Sequence, residues 1–193
     1  ELFARSDAPL GRRSAHTLTL MYTISESDRP RRVISVPQSS IGAPCPLLIA
    51  GEHSLRLSYY LQDDRLGVDW ESAPVRPPSR PGTSEDLCAL VTIEHPYAHM
   101  FGPPNDEAFS GHPLAALGLE PYSVFEVERS SWLRSLVQMN SVHPYHRDTH
   151  FTAHKHYVFS FHDTTFECIA KGFRIELCRG DPWPILENAL NEG

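Results

Sequence analysis

Between Val142 and Asp163 the chain places six of its eleven histidines: His143, His146, His150, His154, His156 and His162. Imidazole is the side chain that most readily ligates a metal or carries a proton near neutral pH. His146, His150 and His154 lie at i, i+4, i+8, which would stack them on one side of a helix, as a metal-binding helix requires. Pro144, Thr149 and Thr152 work against that helix, and the segment reads more naturally as a loop. In strand geometry His154 and His156 project from one face. Together with His146 or His150 they would form a three-nitrogen set with an open position, able to hold zinc or ferrous iron and to activate water or dioxygen. His162 falls outside it, because strand rise puts it about 20 Å from His156. No ligand pattern here is as specific as H-E-x-x-H or paired C-x-x-C, so a surface histidine-rich loop is the competing reading.

Three further residues are candidates for acid–base work. Glu167 and Glu176 fall in one row across the C-terminal strands when these are read as a meander, and directly opposed carboxylates repel, which raises one pKa unless solvent or a cation intervenes. On a half-exposed sheet Arg174 and Lys171 would screen them. His95, with Glu94 and His99, sits where an apolar strand enters a Gly/Pro-rich loop, a common functional position; a turn with a packed histidine is the plainer alternative. Cys168 lies on the apolar face of the same meander, so its thiolate is disfavoured. The chain lacks G-x-S-x-G, G-x-x-x-x-G-K-[ST] and G-x-G-x-x-G, which sets aside elbow, P-loop and hydride-transfer chemistry. His154-Lys155-His156 resembles the H-x-H strand motif of cupins, which are also β-rich. The likeness covers those three residues, and the glutamate that cupins place a few residues later is missing where Phe159 and Ser160 stand.

The elements that must position these residues are mostly strands. Tyr157, Phe159 and Phe161 alternate with polar or smaller residues, as do Phe166, Cys168 and Ala170, and then Phe173, Ile175 and Leu177. Turns at His162–Thr165 and Lys171-Gly172 would pair all nine on one face of a three-stranded meander. One long strand through residue 170 is the alternative, and it needs a bulge near Asp163. Upstream, short strands are expected at Arg32 to Val36 and Leu47 to Ala50, then a half-buried strand over Leu55 to Leu61 joined through Gly51 to His53. Leu87 to Ile93 is apolar on both parities and reads as a central strand. Tyr122 to Val127 is another strand. Glu71 to Asp86, with four prolines, reads as a long loop or flap, and Pro96 to Gly111 as a second irregular stretch. Ser130 or Ser131 caps a helix whose Trp132, Leu133, Leu136 and Val137 face a sheet. A short helix opens at Pro113 and stops at Gly118, and a terminal one opens at Asp181-Pro182.

These elements predict an α+β fold: a mostly antiparallel, partly curled sheet of about seven or eight strands, two main helices and one short one. The 193 residues suit one domain over 21–193, with residues 1–20 as a loose arm or extended start. No sustained apolar run follows the arginines of that arm, so no secretory leader is expected. Four cysteines without C-x-x-C spacing suggest reduced thiols and a cytoplasmic setting. A formal charge of -7 would repel phosphate backbones, and no apolar stretch suits a bilayer, so nucleic acid and membrane are unexpected partners. Two functions stay open: a small soluble module binding a small molecule or protein partner, or a zinc- or iron-dependent enzyme using the histidines with Glu167 or Glu176 as base.

Overall fold

The computed structural model describes residues 22–62, 75–76 and 86–191. The arm 1–20 lies outside them, as does the flap 71–86 apart from Val75, Arg76 and Asp86. The strands are β1 (Arg29–Arg32), β2 (Leu47–Ala50), β3 (Leu55–Tyr60), β4 (Val75–Arg76), β5 (Leu87–Glu94), β6 (Ala98–Gly102), β7 (Val124–Glu128), β8 (Lys155–Ser160), β9 (Thr165–Ala170) and β10 (Gly172–Arg179). The helices are α1 (Ser131–Asn140) and α2 (Pro182–Asn191), with short 3₁₀ turns in the connections. The fold class is α+β. The sheet, however, is two five-stranded sheets, ordered β1-β7-β8-β9-β6 and β2-β3-β5-β10-β4. All neighbours are antiparallel except the two-residue β4, which runs parallel to β10.

The sheets face each other across one core, in which Leu57, Tyr59 and Val91 meet Phe159, Phe166 and Cys168. The outer faces are also covered. Trp132 and Leu133 of α1, Tyr22, and Phe109 and Leu114 from the loop before β7 close the outside of the first sheet over Val158 and Ile169. Ile185, Leu186 and Ala189 of α2 close the outside of the second over Cys88, Leu90 and Cys178. Ser130 caps α1 by accepting the Leu133 N–H at 3.1 Å; the short helix expected from Pro113 is a single 3₁₀ turn, Ala115–Leu117, ended by Gly118 in the left-handed conformation.

The C-terminal strands differ from the expected meander in two respects. β8 and β9 do pair, but the turn is tighter than expected, closed by Phe161 N–H to the Thr164 carbonyl at 2.9 Å, so Phe159 opposes Phe166 rather than Cys168. A shift of two residues preserves every side-chain face. β9 and β10 are not neighbours: β9 lies beside β6, and β10 beside β5. Leu87–Gly102 and Thr165–Arg179 instead form one long two-stranded ribbon that bends from one sheet into the other. At the bend His95, Pro96 and Tyr97 stand against Ala170 and Lys171, one extra residue on the β5–β6 side. That is a β-bulge, and bulges are how a strand bends and changes sheets. His95 takes φ +50° there. The crossings are tied together by Lys171 N–H to the Glu94 carbonyl and Tyr97 N–H to the Ile169 carbonyl, at 2.9 and 2.8 Å. β6, inside a stretch expected to be irregular, is a strand because it pairs along this ribbon.

Candidate functional site

The bend builds a pocket. Both sheet-changing crossings, the β2–β3 turn and the segment before β8 open at the same end of the sandwich, and between them lies a cavity of about 600 Å³ lined by His53, His95, His150, His154 and Lys171, with Pro96 and Thr149. His95 and Lys171 come from the bulge, His53 from the hairpin turn, and His150 and His154 from the 3₁₀ turn Asp148–Phe151 and its exit. Among the described residues no carboxylate lines it, and the exposed Glu52 stands 3.7 Å from His53 at its edge. His154 is the recessed member: burial, and then the Lys171 ammonium, push its pKa down, with the His150 backbone partly opposing them and His95 adding to them. Its Nδ1 is buried without a hydrogen-bond partner.

The other sequence candidates are distributed as follows. His146 is separated from His154 by the buried Phe151, whose ring centroid lies 6.0 Å from one imidazole and 5.9 Å from the other. It is held by Asn140 and by Asp148 at 2.7 Å. His156 faces the outer side of the first sheet, which was expected to be open and is instead a second core, and it is fully buried. The proposed set of His154 and His156 with His146 or His150 is therefore not brought together. Among the described residues no group of three or more His, Cys, Asp or Glu side chains converges to hold a metal ion. Glu176 lies on the outer face of the other sheet, away from Glu167, and pairs with Arg76 at 2.8 Å. The expected carboxylate row disappears because the strands carrying it belong to different sheets.

Glu167 is the centre of a buried polar network. Its Oε2 accepts the Tyr22 hydroxyl and His156 Nε2–H, each at 2.8 Å, and its Oε1 accepts His112 Nε2–H at 3.1 Å. The tautomers follow from the other ring nitrogens. His112 Nδ1 accepts the Leu114 N–H, and His156 Nδ1 faces Ser130 Oγ, whose acceptor role is taken by Leu133 N–H and whose proton is left for the imidazole. Burial alone would raise the Glu167 carboxyl, but the N–H donors of His112 and His156 outweigh it and hold the pKa at about 2. Burial, then the Glu167 carboxylate, pushes the Tyr22 phenol far above its ordinary value. The network fastens the strand pair β8–β9 to α1, to the segment at Tyr22 and to the loop carrying His112. Cys168 faces the inner core, where burial raises its thiol strongly.

His162 lies at the opposite end of the sandwich from the pocket. Its Nδ1 is 3.0 Å from Asp106 and 2.9 Å from the Tyr122 hydroxyl, which also donates to Asp106. Tyr122 holds a left-handed backbone, φ +56°.

His53 and Lys171 in the pocket, and Tyr22, His112 and Ser130 in the network, were not singled out from the sequence as site residues. Only Ser130 had a signal, as a helix cap. No helix among the described residues is long and apolar enough to cross a membrane. In comparisons with known proteins, no family model, no curated protein and no solved structure matches the chain.

Proposed function

We propose that this protein is a ligand-binding module whose site is the pocket at the bulge, and that its ligand is a small molecule carrying a carboxylate or phosphate. The observation that supports this is that four imidazoles and an ammonium line one cavity with no carboxylate among its walls in the described residues. A volume of about 600 Å³ is ordinary for a small-molecule site. Lys171 supplies a permanent charge and three donors, and each imidazole donates one N–H when neutral and two when protonated. Burial, and then Lys171 beside it, make His154 resist protonation. An anion would offset the Lys171 charge and favour protonation there, so affinity should rise as pH falls through the imidazole range. The alternative, metal-dependent catalysis, has no observation in its favour among the described residues.

Titration with inorganic phosphate, followed through imidazole ¹H–¹⁵N resonances, tests the reading. Shifts should concentrate at His95, His150 and His154, grow from pH 8 to pH 6, and vanish in Lys171→Glu. His162, at the far end, is the internal control. Equal movement of His162 and the pocket histidines, or no movement at all, would overturn the assignment.

A further inference from the structure

The pocket does not end at His154. That residue also lines a second cavity of about 450 Å³, which runs over the end of β7 past Lys155, Glu128 and Arg129. Leu133 and Arg134 then belong both to this cavity and to a third, of about 490 Å³, whose apolar walls are Leu133, Val137 and Phe151. Shared walls make the three concavities one track, with the histidine-rich segment 146–155 along its length. The character of the track changes from end to end. At the bulge it is cationic. In the middle the two carboxylates are already neutralised, Glu126 by Lys155 at 2.9 Å and Glu128 by Arg31 at 2.6 Å. Among the described residues the Arg129 side chain, which is exposed, and the Lys171 side chain have no carboxylate partner. At the far end the groove has apolar walls in Leu133, Val137 and Phe151, and its carboxylate, Asp148, is held by His146 at 2.7 Å.

From this gradient we infer that the track binds an extended acidic peptide segment of a partner protein, its carboxylates at Lys171 and Arg129 and an apolar side chain between Leu133, Val137 and Phe151. The inference rests on the reading of the bulge pocket as an anion site and adds the class of ligand. Arg129, His154 and Lys171 lie just beyond the paired ends of the neighbouring strands β7, β8 and β9, about 5 Å apart from strand to strand, so an extended segment of a few residues reaches across them. A peptide fits the gradient better than a nucleic acid does: a nucleic acid is anionic along its whole length, whereas this groove is cationic at one end and has apolar walls at the other.

The test is fluorescence anisotropy with the full chain and labelled heptapeptides carrying three aspartates at one end and Leu-Phe at the other, in both orders. One order should bind more tightly than inorganic phosphate does. Lys171→Glu, Arg129→Glu and Val137→Asp should each weaken it by about tenfold or more, as expected for losing one well-made contact. All three positions are at least partly exposed, and unchanged melting of the variants checks the fold. If phosphate binds but neither peptide binds more tightly, or if Arg129→Glu and Val137→Asp leave peptide affinity unchanged, the extended groove is refuted while the anion pocket stands. Tighter binding of a seven-nucleotide oligothymidylate than of either peptide also refutes it. If neither phosphate nor peptide binds, the anion reading itself fails.

Discussion

Replacing Glu167 by glutamine tests whether the buried network holds a charge. In the folded chain the carboxyl sits at about 2, against an ordinary 4.5. Each pH unit of such a gap corresponds to about 1.4 kcal/mol, so the ionised form contributes on the order of 3 kcal/mol to folding. Because the folded pKa is depressed, this contribution is complete above about pH 4.5 and is lost as pH falls toward 2. Glutamine keeps one acceptor and places an amide N–H₂ against donors that already point inward from His112, or from His156 and Tyr22, leaving a buried donor facing a donor. Urea unfolding followed by the fluorescence of Trp132, which stacks on Tyr22 at 5.6 Å, gives the stability of both proteins at pH 7, 5 and 3. Glu167→Gln should cost on the order of 3 kcal/mol at pH 7, and the two proteins should converge as the pH drops. Other carboxylates titrate in the same window, so the difference between the proteins is the diagnostic quantity. Equal stability at pH 7 together with an unchanged acid limb would refute the reasoning.

Three further outcomes are expected. Ser130→Ala removes the cap of α1 and strands His156 Nδ1, which should cost about 1 kcal/mol for the cap and a similar amount for the imidazole, read by thermal unfolding. Asp106 accepts from His162 and raises its pKa above the ordinary 6.5, so NMR titration should find His162 protonated to higher pH than a free imidazole, and Asp106→Asn should lower it. Phe159, fully buried between the sheets and 5.3 and 5.7 Å from the rings of Phe173 and Phe166, should lose about 3 to 5 kcal/mol on change to alanine, read by denaturant midpoint.

Side-chain faces were legible in the sequence and strand partners were not. The nine alternating residues from Tyr157 to Leu177 do share one core. Period-2 alternation is a local property, and it is the same whether β9 and β10 lie side by side or face each other from two sheets. Lys171 reverses the parity in either case. What separates the two is the bulge at His95, Pro96 and Tyr97, which becomes visible only when the partner strand is known. β6 was hidden for the same reason: Gly102, Pro103 and Pro104 advertise a loop, while its pairing with β9 is long-range. The histidines that are dense in the sequence are divided in space. His95, His150 and His154 meet, Phe151 divides them from His146, and the outer core takes His156. His112 carried no signal, because a histidine before a proline at a turn looks the same whether or not a carboxylate waits beneath it.

The bend at Lys171 also bears on how the protein moves. Two crossings hold the sheets together at one end, and the pocket lies on both. A ligand bound as proposed, between His95 and Lys171 of the crossings and His154 of the approach to β8, would work as a clasp across the mouth of the sandwich, shortening the excursions by which the two layers part. Amide hydrogen exchange at the first residues of β8 and β10 should then slow when the pocket fills, while the turn at His162 keeps its pace. Occupancy at one end would thus be felt as stiffness in both layers.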